Sequence, residues 1–154
     1  MAVLSEVEFL RLQLRRLYEE TPALLHAIDG EGRIELVSNA WLEHFGYSRN
    51  EVIGRRSSDF LDEKSKKYAK EVVLPAFFAS GVCQDISYTW VCKDGSTRDV
   101  FLSATYESNE AGEYVRSLAV LRDVTFQRAS ELRAERERAL LEQVFESASD
   151  AFIL

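Results

Sequence analysis

The stretch CQDISYTWVCKDGSTRDVFLSATY, residues 83–106, decides the fold of this 154-residue chain. Apolar and more polar residues alternate in its first half, as they do in a strand with one buried face. Asp94-Gly95 then supplies a tight turn, and the alternation resumes after it. The apolar positions are Ile86, Tyr88, Trp90 and Cys92 before the turn, and Val100, Leu102, Ala104 and Tyr106 after it. The stretch therefore predicts a β-hairpin.

Outward from this hairpin, two further patterns complete a sheet. After the turn SNEAGE (108–113), the run YVRSLAVLRDV (114–124) predicts a third long antiparallel strand. Nearer the start of the chain, ALLHAIDGEGRIELVSN (23–39) has two apolar runs separated by Gly30-Glu31-Gly32, which predicts a second hairpin. These strands favour a single five-stranded antiparallel sheet.

Short helices are predicted between the two hairpins. Asn39 is placed to cap the helix AWLEHFG (40–46), and Ser48 with Glu51 has the spacing of a capping box. The segment 61–81 predicts a longer helix that Pro75 should kink or interrupt. The fold class is therefore α+β, with the short helices grouped on one face of the sheet.

Amphipathic helices are predicted at both ends of the chain. Ser5 and Glu8 form a capping box for the first helix, which should end before Pro22. Its apolar residues have the 3-4-3 spacing of a pairing seam, which either joins two copies of the chain or packs on the helix's own domain. The seam residues are Val7, Leu10, Leu14 and Leu17. At the other end, Thr125 is expected to cap a highly charged helix over 126–147.

The second face of the sheet is also expected to be covered. Apolar residues occupy positions where strict alternation would place polar ones, namely Val91, Phe101, Leu118 and Val120. The N-terminal helix, from the same chain or from a partner, is the natural cover. An internal similarity between 11–25 and 138–152 further predicts that residues 148–154 begin a second copy of the domain.

Composition excludes several functions. The net charge of -7 and the pI near 5.0 argue against binding to nucleic acid or to an anionic membrane. The longest run free of charged residues, 72–83, is too short to span a bilayer, and the N-terminus does not have the order of a signal peptide. A cytoplasmic location is therefore expected, and the two cysteines fit either a reducing compartment or chance.

Catalysis by this chain is not expected. It has two histidines, His26 and His44, and the sequence has no phosphate-binding glycine loop, no nucleophile elbow and no cluster of metal ligands. Cys83 and Cys92 alone cannot hold an iron-sulfur cluster, which needs four ligands.

Three segments resemble the PAS sensory domains with their C-terminal PAC motif. They are IDGEGRIELVSNAWLEHFGYSRNEVIGR (28–55), KDGSTRDVFLSATY (93–106) and LAVLRDVT (118–125). The resemblance implies an N-terminal helix (1–20), a sensory domain (21–125) and a signalling helix (126–147) inside a larger protein, such as a histidine kinase or a diguanylate cyclase.

The resemblance also implies a ligand pocket and a signal junction. The pocket candidates are Asn39, Trp41, Phe45, Tyr88, Trp90 and Leu102, and the junction candidates are Asp123, Val124 and Thr125. Signals would pass through this junction to an effector in the same parent chain, and the seam would make the module a homodimer.

A cofactor is not expected. Haem-binding relatives usually take a histidine from the long helix, and residues 64–80 contain none, so His26 or His44 would have to serve. The segment GRRSSDFL (54–61) has serines and no cysteine, which removes covalent flavin chemistry. Noncovalent flavin could still stack on Trp41 or Trp90. The favoured hypothesis is a relay and dimerisation module, and a haem or flavin sensor is the alternative.

Overall fold

The computed structural model describes residues 3–152. Its contacts divide the chain into two units, which are joined between Asp123 and Val124. The first unit contains helices, strands and one 3-10 turn in this order: α1 (Glu6–Glu20), β1 (Leu24–Ile28), β2 (Ile34–Val37), α2 (Asn39–Phe45), α3 (Arg49–Val52), the 3-10 turn (Ser57–Phe60), α4 (Glu63–Tyr68), a π-helical segment (Ala69–Val73), α5 (Leu74–Ser80), β3 (Val82–Val91), β4 (Thr97–Ser108) and β5 (Tyr114–Asp123). The second unit is one helix, α6 (Thr125–Phe152).

The strands form one five-stranded sheet in the order β2-β1-β5-β4-β3. Every neighbouring pair is antiparallel, which confirms the predicted α+β class and both hairpins. The last strand, β5, lies in the middle of the sheet between β1 and β4. The chain therefore leaves the first unit from the centre of its sheet.

The core lies between the sheet and the helices that follow β2. The inner positions of the strands and the inward sides of α2, α3, the π-helical segment and α5 are buried together. Burial of each large apolar side chain contributes about 1.5 to 3 kcal/mol. The most completely buried large residues of this core are Trp41, Trp90, Phe45, Ile34, Val37, Val52 and Val100.

Pro75 changes the form of the long helix. Proline has no amide to donate, and its ring crowds the carbonyl four residues earlier. The chain widens into the π-helical segment Ala69–Val73 immediately before α5, so the predicted interruption takes this form. Gly81 then ends α5 with a φ of +83°, and a Cβ there would lie 2.6 Å from the Tyr106 ring. Only glycine fits this junction between α5 and β3.

The predicted cap of α1 is confirmed, and the predicted cap of α2 is wrong. Ser5 and Glu8 make the predicted capping box, and α1 ends at Glu20 as expected. The prediction that Asn39 caps α2 is wrong, because Ser38 is the cap and Asn39 is the first helical residue. Ser38 is fully buried, and its hydroxyl accepts from the amides of Trp41 and Leu25 at 3.2 Å. These bonds satisfy a hydroxyl that has no access to water.

The flanking helices are both largely exposed. The helix α1 contacts α2 and β2, while Val82 and Val120 on the outer face of the sheet are exposed. The helix α6 continues to Phe152, so the predicted end at residue 147 is wrong. The residues 147–151 include neither proline nor glycine, and the helical hydrogen bonds therefore continue through them. Residues 153 and 154 of the predicted second copy lie outside the described residues, and that copy stays a prediction.

Within residues 3–152, no helix combines the length and apolarity needed to cross a membrane.

Candidate functional site

An aromatic cluster fills the space between α2 and the sheet. Trp90 of β3 stacks on Phe45 with ring centroids 5.5 Å apart, and it meets Trp41 edge-on at 5.8 Å. Phe60 packs edge-on against Trp41 at 5.5 Å and parallel to Trp90 at 6.5 Å. Such pairs add about 0.5 to 1.5 kcal/mol to the burial of their area. The cluster closes this end of the core.

A small cavity lies beside the cluster, between the sheet, the π-helical segment and α5. Its volume is about 40 Å³. A water molecule needs roughly 10 to 15 Å³ of such space, so the cavity has room for about three. Its walls are Ile28, Leu61, Ala69, Val73, Leu74, Phe77, Leu102, Ala104 and Ala119, together with the polar or titratable residues His26, Ser57, Cys83, Tyr88, Trp90 and Ser117.

The structure brings some of the predicted pocket residues together and separates others. Tyr88, Trp90 and Leu102 line the cavity. Trp41 and Phe45 are buried in the aromatic cluster beside Trp90 and are not among the lining residues. Asn39 is exposed, and its side-chain oxygen accepts a hydrogen bond from Arg49.

Sequence reasoning missed His26 and Ser117 as lining residues. His26 of β1 pairs in register with Ala119 of β5, which places it in the central part of the sheet. The alternation in β5 assigns Ser117 to the same face as Ala119, and this pattern could have found it. No such alternation identifies His26 in β1, because four of the five residues of that strand are buried.

His26 is held in its neutral form by burial. Its side chain is almost completely buried, 5.9 Å from the Trp90 ring centroid and 6.3 Å from that of Trp41. Its Nδ1 has no hydrogen-bond partner. Loss of solvent lowers the pKa of His26 to about 4, because burial penalises the charged imidazolium.

A second cluster of polar groups lies at the end of β5. One carboxylate oxygen of Asp123, Oδ2, accepts from Nε of Arg98 at 2.6 Å and lies 2.7 Å from Nε2 of His44. The Asp123 side chain is only 11% exposed, whereas those of His44 and Arg98 are about one-third exposed. The carboxylate hydrogen bond raises the pKa of Arg98. We call these three residues the strand-end network.

The other junction and seam candidates are placed as follows. Val124 and Thr125 belong to the second unit. The prediction that Thr125 caps α6 is wrong, because Thr125 is the first helical residue and the Val124 carbonyl accepts the first helical bond, from the amide of Arg128. On α1, the four seam residues are each more than half exposed, at 59% for Val7, 55% for Leu10, 58% for Leu14 and 69% for Leu17. The signal junction and the dimer seam stay predictions.

The burial of His26 predicts a loss of stability in mild acid. The unfolded chain binds a proton near pH 6.5, and the folded protein resists it until pH 4, so the contribution is present above pH 6.5 and is lost as the pH falls toward 4. Between pH 7.5 and 5.0, we expect His26 to lower the free energy of unfolding by about 2 kcal/mol.

Urea unfolding at these two pH values measures the effect, with His26→Phe as the comparison because it keeps a ring but removes the titration. The variant should lose about 2 kcal/mol less than the wild type over this interval. Equal losses in the two proteins would contradict a buried neutral His26.

Both the sequence and the fold are similar to those of known proteins. A profile of the PAS domain family matches residues 21–126. No curated protein sequence matches the chain at a significant level. The solved PAS domain of an HTR-like protein from Haloarcula marismortui is 26% identical, with a TM-score of 0.63 over 76% of this chain and 93% of that one.

Two other solved structures share the fold at lower identity. A PAS domain from a two-component sensor histidine kinase is 14% identical, with a TM-score of 0.64 over 77% of this chain and 99% of that one. The LOV domain of the blue-light activated histidine kinase from Erythrobacter litoralis is 19% identical, with a TM-score of 0.61 over 69% of this chain and 99% of that one. The family profile covers more than half of the sequence and confirms the resemblance. The chain belongs to the PAS domain family.

Proposed function

We propose that this chain is a sensory relay and dimerisation module, and that it passes a change in its core through α6 to an effector in the same parent chain. The observation that carries the proposal is the strand-end network, in which Asp123 binds both Arg98 and His44 two residues before α6 begins. A single carboxylate thus ties the end of β5 to a helix and to a neighbouring strand.

The helix α2 connects this network to the core. Phe45 stacks on Trp90, and its ring lies 5.0 Å from that of His44 in an edge-on arrangement. His44 in turn contacts Asp123. A displacement of Trp90 that moves α2 therefore also changes the bonds at the end of β5. Packed side chains and hydrogen bonds in contiguous contact can carry energetic coupling between two sites.

The proposed parent is a signalling enzyme, either a histidine kinase or a diguanylate cyclase. Two of the structural neighbours come from histidine kinases, which supports the first choice. Residues 3–152 contain no group of three or more metal-ligating side chains, and we assign no catalytic role to this module.

Dimerisation is proposed through the seam on α1. This helix has no buried residues, and its seam leaves four large apolar side chains in water. Pairing with a second copy would bury them at about 1.5 to 3 kcal/mol for each side chain. The same stripe would place two α1 helices side by side in a coiled coil.

The alternative function is a haem or flavin sensor. Pockets for ligands of that size take roughly 300 to 1,000 Å³. The cavity beside Trp90 has about 40 Å³, and Trp41, Phe45 and Phe60 occupy the adjoining space. Both candidate haem ligands already contact other side chains. His26 packs in the aromatic core, and His44 contacts Asp123. We therefore propose that the module uses neither cofactor.

Removing the Asp123 carboxylate should change signalling more than folding. In the parent protein, Asp123→Ala should alter basal output or the response to the stimulus by about 5- to 150-fold, the usual range of allosteric coupling. The reason is that both bonds at the end of β5 are lost together. Autophosphorylation or nucleotide cyclisation measures this change, depending on the parent.

Glu63→Ala is the matched control, because it removes an ion pair with Lys66 at a side chain that is 93% exposed and distant in sequence from the junction. It should leave output unchanged. Wild-type signalling by Asp123→Ala at normal protein levels would reject the proposed junction.

Charges in the seam should separate the proposed dimer. Leu10→Glu with Leu14→Glu should give a folded monomer, since two like charges on each helix would face each other across the pair. Light scattering measures the mass, and circular dichroism checks that the domain is folded.

Phe9→Glu with Leu12→Glu is the matched control on the same helix. These residues are also exposed, but they occupy heptad positions away from the seam. The control should remain dimeric. A dimer that survives the seam substitutions, or dissociates equally with both pairs, would reject this interface.

The purified protein should be colourless. Haem or flavin added in excess and then removed by gel filtration should leave no absorption above the aromatic band, because the cavity is far smaller than either group requires. A stoichiometric Soret or flavin band would support the sensor alternative instead.

A further inference from the structure

The cavity beside Trp90 disfavours a charged group, because its wall offers no opposite charge. None of its fifteen lining residues is Asp, Glu, Lys or Arg. Its titratable residues are His26, Cys83 and Tyr88, and burial is the largest cause of the pKa shift of each. The pKa of His26 is lowered, while those of Cys83 and Tyr88 are raised. All three shifts favour the neutral form.

The cavity is nevertheless not simply apolar. Nδ1 of His26 and Nε1 of Trp90 are buried without a hydrogen-bond partner, and the two residues share the cavity wall. Their ring centroids are 5.9 Å apart, so one small molecule can lie next to both. Unsatisfied buried polar atoms are rare in folded proteins, and each one left unpaired is costly.

We propose that this cavity binds a small uncharged molecule that carries a hydrogen-bond acceptor, of the chemical class of short amides and alcohols. An acceptor on the molecule can take the indole N–H of Trp90, and a donor or acceptor can pair with His26. An anion or a cation of the same size would lose its hydration and find no opposite charge in the wall. The size limit is about three non-hydrogen atoms, by comparison with the three waters that fit.

In this proposal, the molecule enters the cavity beside the lining residues that are partly exposed. Ser57, Leu74 and Cys83 are partly exposed, whereas most of the wall is buried. Leu74 begins α5, directly after the π-helical segment that contains Ala69 and Val73. A molecule bound here touches that segment on one side and Trp90 on the other. The inference rests on the proposed sensory function and names the ligand class of its core.

Formamide and formate provide the direct test. They have the same number of non-hydrogen atoms and differ in charge. The chain has two tryptophans, Trp41 and Trp90, so the ¹⁵N-labelled protein gives two indole N–H signals in an NMR spectrum. Formamide should move the Trp90 signal with saturation in the millimolar range, which suits so small a ligand, and formate should not. Trp41 is not among the lining residues and should respond less.

His26→Phe should weaken formamide binding by about tenfold, because it keeps the ring and removes the unpaired nitrogen. Should that variant fail to fold, Ala119→Val adds methyl groups to the wall and should abolish saturation, while Ala129→Val on the exposed helix α6 is its control. A response that is linear in formamide, equal for formate, or unchanged in both wall variants would overturn the proposal.

The seam and Asp123 experiments do not depend on this cavity. A dimer with an intact junction and no formamide response would reject the ligand class alone. If the protein is a monomer that binds formamide, and Asp123→Ala does not change output, the relay is rejected but the proposed ligand class is supported.

Discussion

Trp90 holds the two layers of the first unit together. Phe45 stacks on its ring from α2, Phe60 lies parallel to it from the 3-10 turn, and His26 approaches from β1. These contacts join β1, α2, the 3-10 turn and β3 around one indole. They also make the region intolerant of charge, because an ion placed there would lose its water without gaining a partner. The small size of this cavity and the neutral form of His26 both follow from this packing.

The same helix that closes the core also reaches the end of β5. The contacts run from Trp90 to Phe45, from Phe45 to His44, and from His44 to Asp123. Arg98 of β4 shares the Asp123 carboxylate, so the end of β5 is fixed from two directions. Since β5 is in the middle of the sheet, few other elements can adjust its end without also disturbing the core. This arrangement gives the proposed relay a defined physical route.

The sheet could be predicted because its information is local. The alternation in 83–106 and the Asp94-Gly95 turn fixed β3 and β4, and the Ser5 capping box fixed the start of α1. The site was harder to predict, because its contacts join residues far apart in the chain. His44 and Asp123 are 79 residues apart, and Arg98 and Asp123 are 25 apart. The Ser38 cap was missed for a related reason, since its hydroxyl is selected by its burial against β1 rather than by the local helix pattern.

In the proposed relay, the core and the end of β5 are coupled through α2. A double-mutant cycle on the free energy of unfolding tests it most directly, with Phe45→Leu in the core and Asp123→Ala at the strand end. We expect a coupling energy of at least about 0.5 kcal/mol between the two substitutions, and we expect it to disappear when the cycle is repeated in the His44→Gln protein. If the effects of Phe45→Leu and Asp123→Ala on the free energy of unfolding add within about 0.3 kcal/mol in the wild-type background, the two sites are not coupled.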